Sequence, residues 1–376
     1  MKKFILLATV AVAAMAACSK IDETPASQRE INFNVANSLQ TKATGAVYNN
    51  GAFGTYAWFN GTDDFMVNET VNLVGGVWKT SVHTFYWPKT GSIDFISYSP
   101  FNGNVDTADS NPAVTKTTIT YTGITAGDVD YMYADKVNCN SNVNEVTDSD
   151  TADSGYSGVP TVFRHALAKL SFKIKANFVE YTDATTNSTT KWDVTVTSAK
   201  ISGFKTTGDC ALALNTDGKH WDKPVTNIGT ATDPVNVNVW TNVSGTTDDQ
   251  ELVDATTYPE GVLLTTTAQD LASASGYVMP QVLENGAQTL KLTIHIKTTL
   301  SNNKVIEEDF TPTIDIKDIS SLKAWQMNEN IAYTINIKPT ATTADGDPDN
   351  PNDVIITFDP AVADWTNVDA SATIQL

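Results

Sequence analysis

The chain has 376 residues, 41% hydrophobic and 18% charged, with 43 acidic against 24 basic side chains and a formal net charge of −19. That balance repels nucleic acid and anionic lipid headgroups, so nucleic acid is not an expected partner. The apolar fraction is ample for buried cores and the length suits about two domains, while three cysteines are too few for a disulfide scaffold.

In chain order, the first element is an export signal. Met1-Lys2-Lys3 precedes an apolar run from Phe4 to Ala14 and the tetrad Met15-Ala16-Ala17-Cys18. Two lysines hold the start of the chain at the cytoplasmic face, and about fourteen apolar residues fall short of the roughly 20 that span a bilayer. Charge, apolar run, small residues and then cysteine is the order of a bacterial lipoprotein signal over residues 1–17, followed by a lipid-bearing Cys18. A diacylglycerol on the thiol and an acyl chain on the new amine give stable membrane attachment. Ser19 argues against retention in the inner membrane, and Asp22 and Glu23 suit export to the outer face. Removing Lys2 and Lys3 leaves 22 basic against 43 acidic residues, a net charge of −21.

After the signal the chain reads as overwhelmingly β. Ile31, Phe33 and Val35 alternate with Asn32 and Asn34, and Leu170, Phe172 and Ile174 alternate with lysines and a serine. The same period of two recurs at Leu290, Leu292, Ile294 and Ile296, and each such run has one buried and one wet face, as antiparallel strands do. Shorter runs stand at Ile93-Phe95, Val194-Val196, Val235-Val239, Tyr333-Ile337 and Ile356-Phe358. Thr, Asn, Asp and Gly fill the gaps, which suits turns and exposed strand faces. Two short helical signals stand at 268–275 and 319–325. Polar connections are expected at 19–30, 138–158 and 340–353. Many short strands with frequent turns point to β-sandwiches.

Chemistry-bearing constellations do not emerge. His83, His165, His220 and His295 lack zinc-ligand spacing, and Gly155-Tyr156-Ser157-Gly158 lacks the register of a nucleophile elbow. Asp63-Asp64 is better explained as a charged hairpin tip than as a glycosidase pair. Asp345-x-Asp347-x-Asp349 imitates the start of a calcium loop, but Asn350 replaces its glycine and Ile356 its bidentate glutamate. No catalytic, metal or cofactor site is expected. Cys139 and Cys210 either pair outside the cytoplasm or stay isolated.

A string of aromatic and proline landmarks runs through the chain: Phe53-Gly54-Thr55-Tyr56-Ala57, Phe65-Met66, Trp78, Phe85-Tyr86-Trp87-Pro88 to Phe95, and Tyr98-Ser99-Pro100. Asp130-Tyr131-Met132-Tyr133-Ala134, Val162 to Leu170, Met279-Pro280-Gln281, Ile356-Thr357-Phe358-Asp359-Pro360 and Trp365 follow. In this order and spacing the series resembles the fimbrillin superfamily, the subunits of lipoprotein-derived pili of Bacteroidetes. As side chains, Trp87, Phe95 and Trp365 read as core residues.

The resemblance implies an all-β fold of two tandem transthyretin-like antiparallel β-sandwich domains. Residues 18–42 would be the lipid tether and a removable strand, 43–160 the first sandwich and 161–376 the second. It also implies assembly with other fimbrial subunits by strand complementation. A surface trypsin-like protease removes the N-terminal strand, and the exposed groove accepts a strand from the next subunit. Ile31, Phe33 and Val35 are the groove-facing residues of that strand. Lys42 is the preferred cleavage point because it follows the strand, and Arg29 is second. With little spare strand at the C-terminus, a tip or accessory role in adhesion is favoured over the main stalk, toward an unspecified receptor. The precursor is expected on the outer membrane and the product in the fimbrium. Thr107 and Thr151, in Asp-Thr-Ala triplets, are candidate O-glycosylation sites. The competing reading is a surface glycan-binding lipoprotein of a nutrient-uptake system, with Trp221 and Trp240 as sugar platforms.

Overall fold

The computed structural model describes residues 30–37, 48, 51–101, 111–140, 158–177, 179–230, 233–247, 249–271, 276–319, 322–339, 354–362 and 372–373. Cys18, Arg29, Lys42, Thr107, Thr151 and the run from Asp345 to Asp349 lie outside the described residues.

The first ten strands are β1 (Asn32–Asn37), β2 (Phe53–Phe59), β3 (Asp63–Val74), β4 (Val77–Thr80), β5 (Ile93–Ser99), β6 (Ala113–Val114), β7 (Thr118–Thr125), β8 (Met132–Ala134), β9 (Val137–Cys139) and β10 (Val159–His165). Seven of them form a closed circuit: β2 with β3, β3 with β4, β4 with β1, β1 with β10, β10 with β8, β8 with β5, and β5 back to β2. Closure gives each of these seven strands a partner on both sides over part of its length. One of the two thinnest junctions is β1 with β4, where Asn32 pairs with Lys79 and Phe33 with Trp78. Unpaired strand edges are the surfaces at which foreign strands pair. The inward period of two places Phe33, Phe53, Met66, Val71, Phe95 and Phe163 in one apolar cluster.

Four more strands, β11 (Ala168–Ala176), β12 (Glu180–Thr182), β13 (Thr189–Ser202) and β14 (Thr207–Leu214), lead into a second core. β11 lies parallel to the strand Asn330–Pro339 from Lys169↔Asn330 to Ala176↔Ile337. β13 lies antiparallel to the strand Thr289–Thr299. Leu170, Phe172 and Ile174 from one layer meet Val194, Leu292 and Ile294 from the other, and Phe172 stacks on Tyr333 at 5.3 Å. Each fully buried side chain of this size contributes about 1.5–3 kcal/mol. The alternating lysines Lys169, Lys173 and Lys175 stay half-exposed, as an aliphatic stem with a charged end allows.

The two cores share a layer. β7, on the outside of the ring, pairs with β14 from Thr125↔Thr207 to Thr118↔Ala213. Ile119, Tyr121 and Ile124 of β7 therefore pack with Cys210 and Leu212 of β14. Sheet membership changes at Ala166-Leu167, after β10, whose partners β1 and β8 both belong to the ring. Residue 160 lies inside β10.

The two helical expectations are corrected. Gln269–Asp270 is a short strand paired with Lys173 and Ile174 of β11. Helix α1 is the single turn Ile316–Ile319, and Ala324–Trp325 pairs with Gln281–Val282 instead. Sheet edges that need hydrogen-bond partners override weak local helix preference. Among the described residues no helix is long and apolar enough to cross a membrane.

Candidate functional site

β1 is the strand on which the ring depends for closure. It runs parallel to β10, from Phe33↔Val159 to Asn37↔Phe163, and antiparallel to β4 at Asn32↔Lys79 and Phe33↔Trp78. Just upstream, Glu30 bridges to Tyr86 and the Ile31 amide donates to the Phe85 carbonyl at 2.9 Å. β4 is brought alongside by a two-residue hairpin in which Gly75 and Gly76 take φ of 61° and 84°, the left-handed pair that a type I′ turn requires.

The alternation puts Ile31 and Phe33 inside, 1% and 4% exposed, and Val35 against the same core. Phe33 meets Phe53 and Phe95 edge to face at 5.5 and 5.8 Å. Tyr48 stacks on Phe163 at 4.9 Å and shares a 2.7 Å hydrogen bond with Ser99. Burial pushes the Tyr48 hydroxyl up to about 12, so it stays a neutral partner in the wall. The seat of β1 is thus an aromatic groove between β4 and β10. Burying its three inward side chains is worth roughly 4–9 kcal/mol in gross transfer terms, an upper estimate.

Two details of this seat escape sequence reading. Gly158, just before β10, has φ of 151°, and a Cβ there would stand 3.0 Å from the Asn32 carbonyl oxygen and 3.1 Å from the Asn34 nitrogen. In sequence it stood out only as part of a failed nucleophile elbow. The second is Asn32, whose Oδ1 is buried with no hydrogen-bond partner. An enclosed acceptor of this kind costs about 1–3 kcal/mol.

Trp221 and Trp240 are placed away from solvent, and this corrects their reading as sugar platforms. The Trp221 indole N–H donates to the Ala134 carbonyl at 2.9 Å, and that of Trp240 to the Ala166 carbonyl at 2.8 Å. Both rings are more than nine-tenths buried. The ring faces fill the layer shared by the two cores, and Trp240 stacks on Tyr121 at 6.0 Å.

The histidines do not converge. His83 faces Glu69, His220 faces Asp217 and His295 faces Asp309, while His165 and Asp130 form a buried pair at 2.9 Å. The Tyr277 hydroxyl reaches Asp130 at 3.1 Å and ties the second core to that pair. Among the described residues no group of metal-ligating side chains forms. Cys139 and Cys210 are free, buried and in different clusters. Burial pushes the Cys139 thiol up to about 12 and raises that of Cys210 as well, which removes the thiolate a nucleophile needs. A thiol reagent applied to the folded chain from residue 19 onward is expected to modify neither cysteine within an hour, and both at once after denaturation.

The chain is thus nearly all-β, with an aromatic groove filled by its first described strand. The fimbrillin-like family matches residues 41–365, and the chain belongs to that family of fimbrial proteins. Among solved structures, a fimbrial protein from Bacteroides vulgatus is 16% identical, covering 90% of this chain and all of its own, with a TM-score of 0.48. A candidate cell adhesion protein from Bacteroides uniformis is 19% identical over 90% of this chain and 98% of its own, with a TM-score of 0.44. No curated protein matches the chain.

Proposed function

We propose that this chain is a fimbrial subunit exported as a lipoprotein through Cys18 and held unassembled by β1. A surface protease cleaves after Lys42, β1 leaves with the lipid, and a strand from a neighbouring subunit takes its place. The carrying observation is that β1 completes the ring between β10 and β4 with Ile31 and Phe33 buried in an aromatic seat. Its departure would leave two facing strand edges one strand apart, where backbone bonds supply affinity and side-chain pockets supply register. Cleavage at Arg29 would leave β1 in the retained chain, so Lys42 is the productive position and Arg29 the secondary one.

A tip or accessory place is favoured over the main stalk. The strand Val354–Val362 is committed to Asn330–Pro339 from Ile331↔Val362 to Pro339↔Val354, and Ala372–Thr373 folds back on it. Among the described residues the C-terminal strands are thus already paired within the chain. Thr107 and Thr151 are proposed to carry O-linked glycans, and the outer membrane holds the precursor until cleavage.

Mass spectrometry of subunits sheared from cells tests the scheme. An N-terminus at Ala43 is the expected result, and lipidated Cys18 on every assembled copy would overturn it. Ladders formed by the trimmed, purified chain alone would sink the tip assignment while keeping strand exchange.

A further inference from the structure

The fit between groove and resident strand is uneven, and the unevenness bears on what the groove takes best. β1 satisfies its inward face with Ile31, Phe33 and Val35. On its other face Asn32 is half-buried with Oδ1 enclosed and unpaired. The register neighbour of Asn32 on β4 is Lys79, whose ammonium lies 3.5 Å from the Glu30 carboxylate. The nearest cation on the paired strand is therefore turned to Glu30. Asparagine is also among the residues least suited to a strand.

The opposite wall of the seat is adapted to backbone. Gly158 brings its Cα against the peptide groups of Asn32 to Asn34, and the three nearest atoms to a Cβ there are all main chain. Main chain cannot rotate out of the way as a flexible side chain would, so a Cβ at 158 would press the β1 backbone back by a few tenths of an ångström, whatever side chains that strand carries. The groove thus accommodates a strand generically at Gly158 and is badly served by one particular residue of its present occupant.

We infer that the groove between β4 and β10 prefers a partner strand that repeats the apolar, aromatic, apolar triad of β1 but carries an apolar or β-branched residue in the place of Asn32. This rests on the exchange reading above and names the partner's chemistry. β1 is then a weaker ligand than its successor, and replacement runs downhill once the chain is cut.

Native-state hydrogen exchange on the full mature chain tests the preference, because it reads strand opening directly. Asn32→Val and Asn32→Thr are each expected to raise protection of the β1 amides about tenfold, with the β13 amides unchanged. Gly158→Ala is expected to lower β1 protection at least tenfold. Unchanged or lowered protection in both Asn32 variants overturns the inference, and unchanged protection in Gly158→Ala overturns the backbone contact. Assembled subunits beginning at Ala43, with unchanged protection in the Asn32 variants, would keep strand exchange and remove this preference. Raised protection with an uncut N-terminus would remove exchange and leave the preference as a property of the groove.

Discussion

Phe33→Ala is expected to weaken the seat of β1 by about 3–5 kcal/mol, the range for removing a buried aromatic ring. The ring is the centre of the triad, with Phe53 and Phe95 edge-on to it and Trp78 opposite in register. Alanine would leave a void walled by rigid aromatic rings, which collapse poorly onto small side chains. The loss falls on one strand rather than on the whole molecule, because β13, Thr289–Thr299 and the rest of the second core do not touch Phe33. Opening of β1 should therefore become a hundred- to several-thousand-fold more frequent at about 1.4 kcal/mol per tenfold, with little change in overall β content. Hydrogen exchange of the β1 amides measures the opening, and far-UV circular dichroism measures the content. Phe33→Leu keeps most of the volume and should cost less than about 1.5 kcal/mol. Equal β1 protection in wild type and Phe33→Ala would mean that the strand is not held by its aromatic anchor. Under the proposed exchange, a subunit whose first strand opens this readily should accept a partner strand without cleavage.

The inward face of β1 was legible from its residues because a period of two is a local property. Ile31 and Phe33 occupy the core that their alternation predicts, and so do Leu170, Phe172 and Ile174 of β11 and Leu290 to Ile296 of the strand Thr289–Thr299. What alternation cannot supply is the identity of the neighbour. The parallel pairing of β1 with β10 joins Phe33 to Val159, and the shared layer joins Thr125 to Thr207. Both depend on closure of long chain segments, whose sequences carry no mark of it. Gly158 shows the same limit at one residue, since a glycine after an Asn- and Ser-rich stretch reads as a turn until the strand it touches is known. Trp221 and Trp240 mislead for another reason. A tryptophan outside a recognised pattern can serve equally as a platform or a wedge, and only the partner of its N–H decides.

Trp240→Ala is expected to cost about 3–5 kcal/mol, a large part of the 5–15 kcal/mol that typically holds a folded domain. Trp240 sits where the chain passes from β10 to β11: its ring stacks on Tyr121 of β7, its indole N–H caps the Ala166 carbonyl, and its backbone N–H donates to Pro280. Its side chain thus fills the shared layer at the crossing point, and its backbone holds the segment at Pro280. Removing the side chain should act on the coupling of the two cores as well as on packing. Calorimetry is expected to show the midpoint falling by on the order of 10 °C, with the transition broadening as the two cores melt separately. Trp240→Phe separates the contributions, since it keeps an aromatic ring but leaves the Ala166 carbonyl without its donor, a loss of about 1–3 kcal/mol. An alanine variant that melts like the wild type yet loses binding to a sugar would contradict the buried placement and restore the platform reading. A variant that melts early, with both cores individually folded below the transition, would identify Trp240 as the wedge that makes a ring and a sandwich behave as one body. The same passage is also tied by the His165 amide to the Asn328 Oδ1 at 3.1 Å and by the Lys169 amide to the Glu329 carbonyl at 2.8 Å, so Trp240→Ala should loosen the coupling without abolishing it.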